Sequence, residues 1–367
     1  MQSNHLCRLH KTGGSFTYCV PKERDWKTMK QTTGKQSISF MEPVYICSGA
    51  SLVGQKEKEG PLGACFDHVA ADPMCGKESW EEGESQIQLS VAKMALQKAN
   101  IKAEEIRMIF AGDLLAQSIA SSFGLVELAR PLYGLFGACS TMGEALSLGA
   151  MAVAGGYAEY VLSLTSSHFG TAEKEFRFPL AYGNQRPLSA SWTVTGGGAC
   201  VLGKRASGAK ITGITSGKII DYGLKDNQNM GACMAPAACD TISQNMEDFH
   251  RTPEDYDRII TGDLGSVGQE ILLELLKQKG YDIRERHLDC GMMIFDPHTQ
   301  DTGAGGSGCG CAASVFASYV LPKVVSGEWK RILFVPTGAL MSKVSFQEGK
   351  SVPGIAQGVV VEHEDRK

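Results

Sequence analysis

Cys139 is the residue of this sequence best placed for chemistry. It stands in "LFGACSTMGEAL", where an apolar run gives way to small residues that open a helix. A helix start leaves N–H groups without intrahelical partners and carries the positive end of the macrodipole, so it favours a thiolate. The same donors, at Ser140 and Thr141, could instead cradle a carboxylate. A buried cysteine at a helix start is the plain alternative. Cys309 repeats the arrangement in "GGSGCGCAAS", with Ser307 two residues earlier.

Asp113 and Asp263 stand in matching phrases, "AGDLL" and "TGDLG", each at the end of a strand-like run. Carboxylates there could engage a ligand through calcium, or cap the helices that follow. Two carboxylates are too few for a calcium site, so no metal is assigned. "GAGGSG" at 303–308 fits a dinucleotide-binding pattern, but the next strand, Arg331–Val335, ends in Pro336 and Thr337 rather than an acid. A nicotinamide cofactor is therefore not expected, and no other cofactor is called for.

The elements that must position these residues alternate between helix and strand, which predicts a mostly parallel sheet covered by helices. Ile87, Val91, Met94 and Ala95 make an apolar stripe on a helix over 84–99. Ile106–Ala111 reads as a buried strand, Tyr133–Ala138 as an apolar run into Cys139, and Ser140 to about Ala154 as a small-residue helix. Tyr160–Leu164 reads as a strand leading to His168. The second half repeats the plan: a strand into Gly262 and Asp263, a helix with Leu272 and Leu276, a helix over Ala312–Val325, and the strand Arg331–Val335. "IRMIFAGDLL" pairs with "YDRIITGDLG", and "AEYVLSLTSS" with "WKRILFVPTG". This predicts duplication of a unit of about 150 residues, with halves at 29–205 and 206–367 and a ligand pocket at their junction.

Composition sets the outer limits. The net charge of −4 opposes non-specific nucleic-acid binding, which needs a basic face. Gly stands at 43 of 367 residues without a collagen-like period, which predicts tight turns and close backbone approaches. The cysteines lack zinc spacing and read as reduced core fillers. Ala145–Ala158 is too short for a membrane helix. "EKEG" at 57–60 reads by default as a solvated turn, and its role is left open. Residues 1–28 are polar and lack the apolar region of a signal peptide; either they are a flexible arm or translation starts at Met29, and the second reading is slightly preferred.

Cys139 in G-A-C-S-T, the duplicated halves and the run from "GSGCGCAAS" to "KRILFVPTGAL" resemble the thiolase superfamily, most closely its ketoacyl-synthase III branch. More narrowly, "KEKEGPLG", "FAGDLLAQ", "LFGACST", "TSSHFGTAEKEFRFP", "MAPAACDTI" and "GGSGCGCAAS" resemble the stage V sporulation protein AD family, from about Met29 to Glu362. The resemblance implies an α/β, thiolase-like fold: two duplicated βαβ halves in a layered α/β/α/β/α unit. It further implies a spore-forming bacterium and a role with dipicolinic acid, in its uptake into the developing spore and its release in germination. The partners it implies are small membrane proteins of the same operon, met peripherally at the inner spore membrane. A homodimer is a further expectation.

Ketoacyl-synthase III enzymes use a Cys, a His and an Asn, the last two stabilising the thioester oxyanion. Where the His belongs this chain has Gly262 or Asp263, and Cys309 stands where the Asn belongs. An aspartate there would repel a developing oxyanion. A second Cys serves as base in true thiolases, but His287 and His298 do not supply the histidine such an enzyme also needs. The sequence therefore predicts a protein that does not catalyse acyl transfer. The alternatives are an acyltransferase using Cys139 and a structural subunit with a vestigial pocket.

Dipicolinate is a flat aromatic dianion, taken free or as its calcium chelate. Its site needs donors for two carboxylates and a slot for the ring. The helix starts at Cys139, Ser140 and Thr141 and at Ser307 and Cys309 are candidates, with Asp113 and Asp263 beside them. His168 could add a donor or a charge near neutral pH, or be a satisfied core histidine. Arg177 and Arg186, among Phe176, Phe178 and Tyr182, could give bidentate carboxylate contacts and aromatic walls, or make surface ion pairs.

Overall fold

The computed structural model describes residues 31–176 and 185–365. Residues 1–28 and the candidates Arg177, Phe178 and Tyr182 lie outside the described residues. From Thr32 onward the chain is one compact unit.

Ten strands form the main path of a twelve-stranded sheet. In chain order they are β1 (Ser37–Val53), β2 (Ile106–Gly112), β3 (Leu132–Leu135), β4 (Tyr160–Ser167), β5 (Gly196–Gly203), β6 (Ala209–Thr215), β7 (Arg258–Thr261), β8 (His287–Asp289), β9 (Arg331–Val335) and β10 (Gly358–His363). Across the sheet they run β3-β2-β4-β5-β1 and then β6-β10-β9-β7-β8. The second run is the first in mirror order, and the directions match as well. In each half the strand that leads into Gly-Asp lies parallel to both neighbours, while β5 and β10 run antiparallel to theirs. The halves join where β1 pairs antiparallel with β6, with a bulge between Ser39 and Val44 that accommodates Pro43.

Two twenty-residue helices answer one another in the same way, α1 (Trp80–Ala99) and α5 (Met230–Phe249). Ser79 accepts from Glu82 N at the start of the first and Asn229 from Ala232 N at the start of the second. Each ends on a left-handed residue, Asn100 and His250. Between them in sequence lie α2 (Ile119–Leu125), α3 (Thr141–Ala154) and α4 (Phe169–Phe176); α6 (Gly265–Gln278) and α7 (Cys309–Val315) follow. The helical run from Cys309 continues through a π turn at Phe316–Val320 to Val325.

The core sits around the helices that follow the two cysteines. Met142, Ala145, Leu146, Ala150 and Val153 of α3 are fully buried or nearly so, as are Cys311, Ala312, Ala313 and Val315 of α7. Helix α7 belongs to the second half yet packs on β5 and β4 of the first. Each fully buried large aliphatic side chain in such a core contributes about 1.5–3 kcal/mol. The small residues matter because the backbones touch. A Cβ on Gly310 would lie 2.2 Å from the Gly196 carbonyl oxygen, so that position has no room for a side chain.

The 57–60 segment differs from its expected reading as a solvated turn. Glu57 is buried and accepts from Thr195 N at 3.0 Å. The turn is fastened to the second half, where Lys56 Nζ donates to the Gln300 carbonyl and Gln300 Nε2 to the Lys56 carbonyl. A charge run gave no sign of these two long-range bonds.

Candidate functional site

Cys139 lies between the exposed edge strand β3 and α3. The chain reaches it through Ala138, which adopts a left-handed φ of 49°. Ser140 and Thr141 turn their hydroxyls back onto this bend, donating to the carbonyls of Gly137 and Ala138. The N–H groups of Ser140, Thr141, Gly143 and Glu144 are likewise taken, by the carbonyls of Gly137, Ala138 and Ser140. The expected cradle of open donors at this helix start is thus largely consumed by the local turn.

The second half meets Cys139 through one hydroxyl. Ser307 Oγ lies 3.9 Å from Cys139 Sγ and donates to Asp263 Oδ2 at 3.0 Å. Asp263 also accepts from Gly308 N at 2.9 Å and from Thr337 Oγ1 at 2.9 Å. Asp263 does not cap α6, the helix that follows it; Asp289 accepts from Leu264 N and Gly265 N there instead. The anion at the start of α7 is the chain's own Asp263. Cys309 packs against Cys139, Leu114 and Ala172, and its thiol points at the Ser166 carbonyl, 2.9 Å away.

Electrostatics here oppose a thiolate. Burial, and then the Asp263 carboxylate, push the Cys139 thiol well above the ordinary cysteine value. This reverses the expectation from the helix start, because loss of water and a nearby negative charge outweigh a terminal dipole. Cys309 is pushed up by burial and by Glu84, Asp113 and Asp263. Asp263 itself rises to about 6, with burial the main cause.

Two further candidates face elsewhere. Asp113 accepts from Leu115 N and from the N–H and hydroxyl of Ser121 in the first turn of α2. It is a helix-start acceptor, though not the residue at the cap itself. His168 accepts from Gly170 N at Nδ1, 3.0 Å away, so its hydrogen sits on Nε2 and is donated to the Pro73 carbonyl at 2.6 Å. Burial lowers its pKa. The ring is therefore neutral, satisfied at both nitrogens, and outside the lining of the Cys139 cleft.

That cleft is lined by Leu114, Cys139, Ala172, Glu173, Phe176 and Ser307, among others. Its volume is about 30 Å³, room for little more than a water molecule. No lysine or arginine lines it among the described residues. Glu173 also lines a second cavity of about 550 Å³, together with Trp80, Phe169, Lys174, Arg186, Leu188 and Trp192. Glu173 and Arg186 form a largely buried ion pair at 2.6 Å. Sequence reasoning missed Glu173, Trp80 and Trp192. Trp192 sits on a short strand with Thr193 that pairs with Gly306–Ser307, and this pairing brings the chamber beside the cleft.

The sequence profile of the stage V sporulation protein AD family matches residues 34–362. The chain is 43% identical over 330 residues to stage V sporulation protein AD of Bacillus subtilis (strain 168), covering 90% of this chain and 97% of that one. Among solved structures, 3-oxoacyl-(acyl carrier protein) synthase III from Pseudomonas aeruginosa PAO1 aligns with a TM-score of 0.56 at 12% identity, over 89% of this chain and 99% of that one. The Acat5 thiolase from Ascaris suum, solved in complex with coenzyme A, aligns with a TM-score of 0.53 at 13% identity, over 88% and 100%. These structural likenesses establish the thiolase-like fold.

Proposed function

The chain belongs to the stage V sporulation protein AD family, and on that premise we propose that it is a non-catalytic, thiolase-like binding protein for dipicolinic acid. It takes the ligand free or as its calcium chelate, for uptake into the developing spore and release in germination. The observation that carries the absence of catalysis is Asp263. Acyl transfer through Cys139 needs a thiolate and donors for an oxyanion. Asp263 supplies a negative charge within the same hydrogen-bonded group and raises the thiol instead. His168, the histidine next to the cleft in sequence, is held by Pro73 and Gly170.

A cavity of about 550 Å³ where the halves meet, next to the Cys139 cleft, supports the binding reading. Among the described residues no helix is long and apolar enough to cross a membrane. Peripheral docking on small membrane proteins at the inner spore membrane is part of the same proposal. The exposed edge of β3, with Leu132 and Tyr133 open, supports pairing with a second copy.

Calorimetric titration of the purified protein with dipicolinate, with and without calcium, tests the binding reading. Saturable one-site binding supports a carrier or gate. No heat from a protein shown to be folded leaves a structural subunit with a vestigial pocket.

A further inference from the structure

Helix α4 has only eight residues, and three ties hold it to α1. Gly170 packs on the Trp80 indole with no room for a Cβ. Lys174 Nζ pairs with Glu81 Oε1 at 2.8 Å, where both side chains are partly open to water. The third tie is buried: Thr171 Oγ1 lies 2.7 Å from Glu84 Oε2. Ser166 Oγ, on β4, holds the other carboxyl oxygen at 3.0 Å.

Glu84 sits in surroundings that oppose a charge. It is fully buried, and among the described residues no cation is bonded to it. Asp113, after β2, and Glu81, on the same helix, add negative charge, and the Cys309 thiol at the start of α7 is also within electrostatic reach. The α4 segment brings His168, Glu173 and Lys174, none of which faces Glu84 as a counter-charge. His168 is neutral and bonded to Pro73 and Gly170, Glu173 pairs with Arg186, and Lys174 pairs with Glu81. A buried carboxyl needs a charged partner or its proton. Glu84 keeps the proton: burial, and then Asp113, raise it to about 8.

The Thr171 hydroxyl has one hydrogen and two acceptors in reach, Glu84 and the His168 carbonyl at 3.0 Å. With Glu84 protonated, the carboxyl donates to Thr171 and Thr171 donates to the carbonyl, so both hydrogens are used. With Glu84 ionised, Thr171 turns to the carboxylate, the carbonyl loses that donor, and a second charge stands beside Asp113. Lifting α4 takes Thr171 away and lets water reach the carboxylate.

We propose that Glu84 is a proton-operated latch: protonated, it ties α4 to α1 through Thr171, and ionised, it lets α4 lift. Ala172, Glu173 and Phe176 of that helix line the Cys139 cleft, so the latch sets how open the cleft is. The latch does not depend on what the cleft binds. Closed α4 keeps the proton, and open α4 gives it up at the ordinary carboxyl value of 4.5. Opening therefore gains about tenfold per pH unit from there to about 8, and levels off above.

Hydrogen exchange of the full chain, read by mass spectrometry between about pH 6 and pH 9 and corrected for the chemical pH dependence with a peptide standard, tests the latch. Peptides over α4 should exchange well ahead of those over α5 and speed up about tenfold per unit until about pH 8. Glu84→Gln should keep α4 protected with no slope. Lys174→Gln changes a half-exposed side chain, so it keeps the test valid if Glu84→Gln folds poorly. It should loosen α4 at every pH and leave the slope as it was. A flat slope in the unaltered protein, or the same slope in Glu84→Gln, overturns the latch. So does α4 exchanging only together with α5, which would be global unfolding. A slope abolished by Lys174→Gln overturns it too, because the titration would then belong to the surface pair with Glu81.

Discussion

Asp263 and Cys139 share one partner: Ser307 Oγ lies 3.0 Å from the carboxylate and 3.9 Å from the thiol. In this arrangement a negative charge faces the atom that an acyl-transfer enzyme would need to ionise. Replacing that charge by an amide removes the second-largest cause of the raised thiol pKa and leaves burial. Asp263→Asn should speed alkylation of Cys139 by iodoacetamide several-fold at pH 8. In the unaltered protein the exposed Cys65 should be labelled well before Cys139. Peptide mapping over time checks both, and equal Cys139 rates in the two proteins would sink the electrostatic argument.

Incubation with acyl-coenzyme A should leave the protein at its unmodified mass. Losing a single oxyanion donor typically lowers the rate ~10²–10³-fold, and the resemblance implies Gly262 or Asp263 where those enzymes have histidine and Cys309 where they have asparagine. An intact-mass increase of one acyl group that disappears in Cys139→Ala would show retained chemistry.

Buried carboxylates should make the protein less stable as pH rises. Glu84 is fully buried, bonded to Ser166 and Thr171 hydroxyls, and raised from 4.5 to about 8 by burial and then by Asp113. Glu57 rises to about 7, mainly by burial. A carboxyl whose folded pKa is raised binds its proton more tightly in the folded state. That stability is complete below the unfolded value and is lost as pH climbs through the folded one. For Asp263, moved from 3.8 to about 6, the loss is roughly 3 kcal/mol at about 1.4 kcal/mol per unit. The thermal midpoint should therefore fall between about pH 5 and pH 9, and Glu84→Gln should flatten the upper part of that fall. A rising midpoint over this window would contradict the assignment.

Gly338 should not tolerate a methyl group. Its Cβ would lie 2.2 Å from the Gly137 carbonyl oxygen and 3.1 Å from Ser140 N, both backbone atoms of the bend that carries Cys139. Gly338→Ala should cost about 1–3 kcal/mol, as overpacking does, and should shift Cys139 as well. A lowered urea midpoint with an altered Cys139 labelling rate is the expected pair of results. An unchanged midpoint would mean the bend moves freely.

Much of this fold could be read from periodicity. Ile87 and Val91 marked α1 correctly because one of its faces packs on strands and the other meets water. Helix α5 escaped because it offers no such contrast. Its residues are mostly small and buried, and Pro236 within it reads as a break. Strand β5 begins Gly-Gly-Gly and is buried throughout, so it shows neither alternation nor β-branched enrichment.

The site divides along the same line. Cys139, Ser307 and Asp263 could be read because each ends or opens an element that occurs twice. Glu173, Trp80 and Trp192 could not, because only the tertiary path of α4 and the Trp192–Thr193 strand brings them together. The cost of burial was also invisible: no local pattern shows that the Cys139 turn has used its own N–H groups.

The seam between the halves has a consequence for how the chain is made. Strand β1 pairs with β5 and β6, and Tyr45 meets Gly203 about 160 residues further along. At a synthesis rate of ~5–20 residues per second, a ribosome needs roughly 10–30 s to deliver those partners. Over that interval β1 has emerged without either of its two long partner strands. The strand that ties the molecule together is thus also one of those that wait longest for their partners.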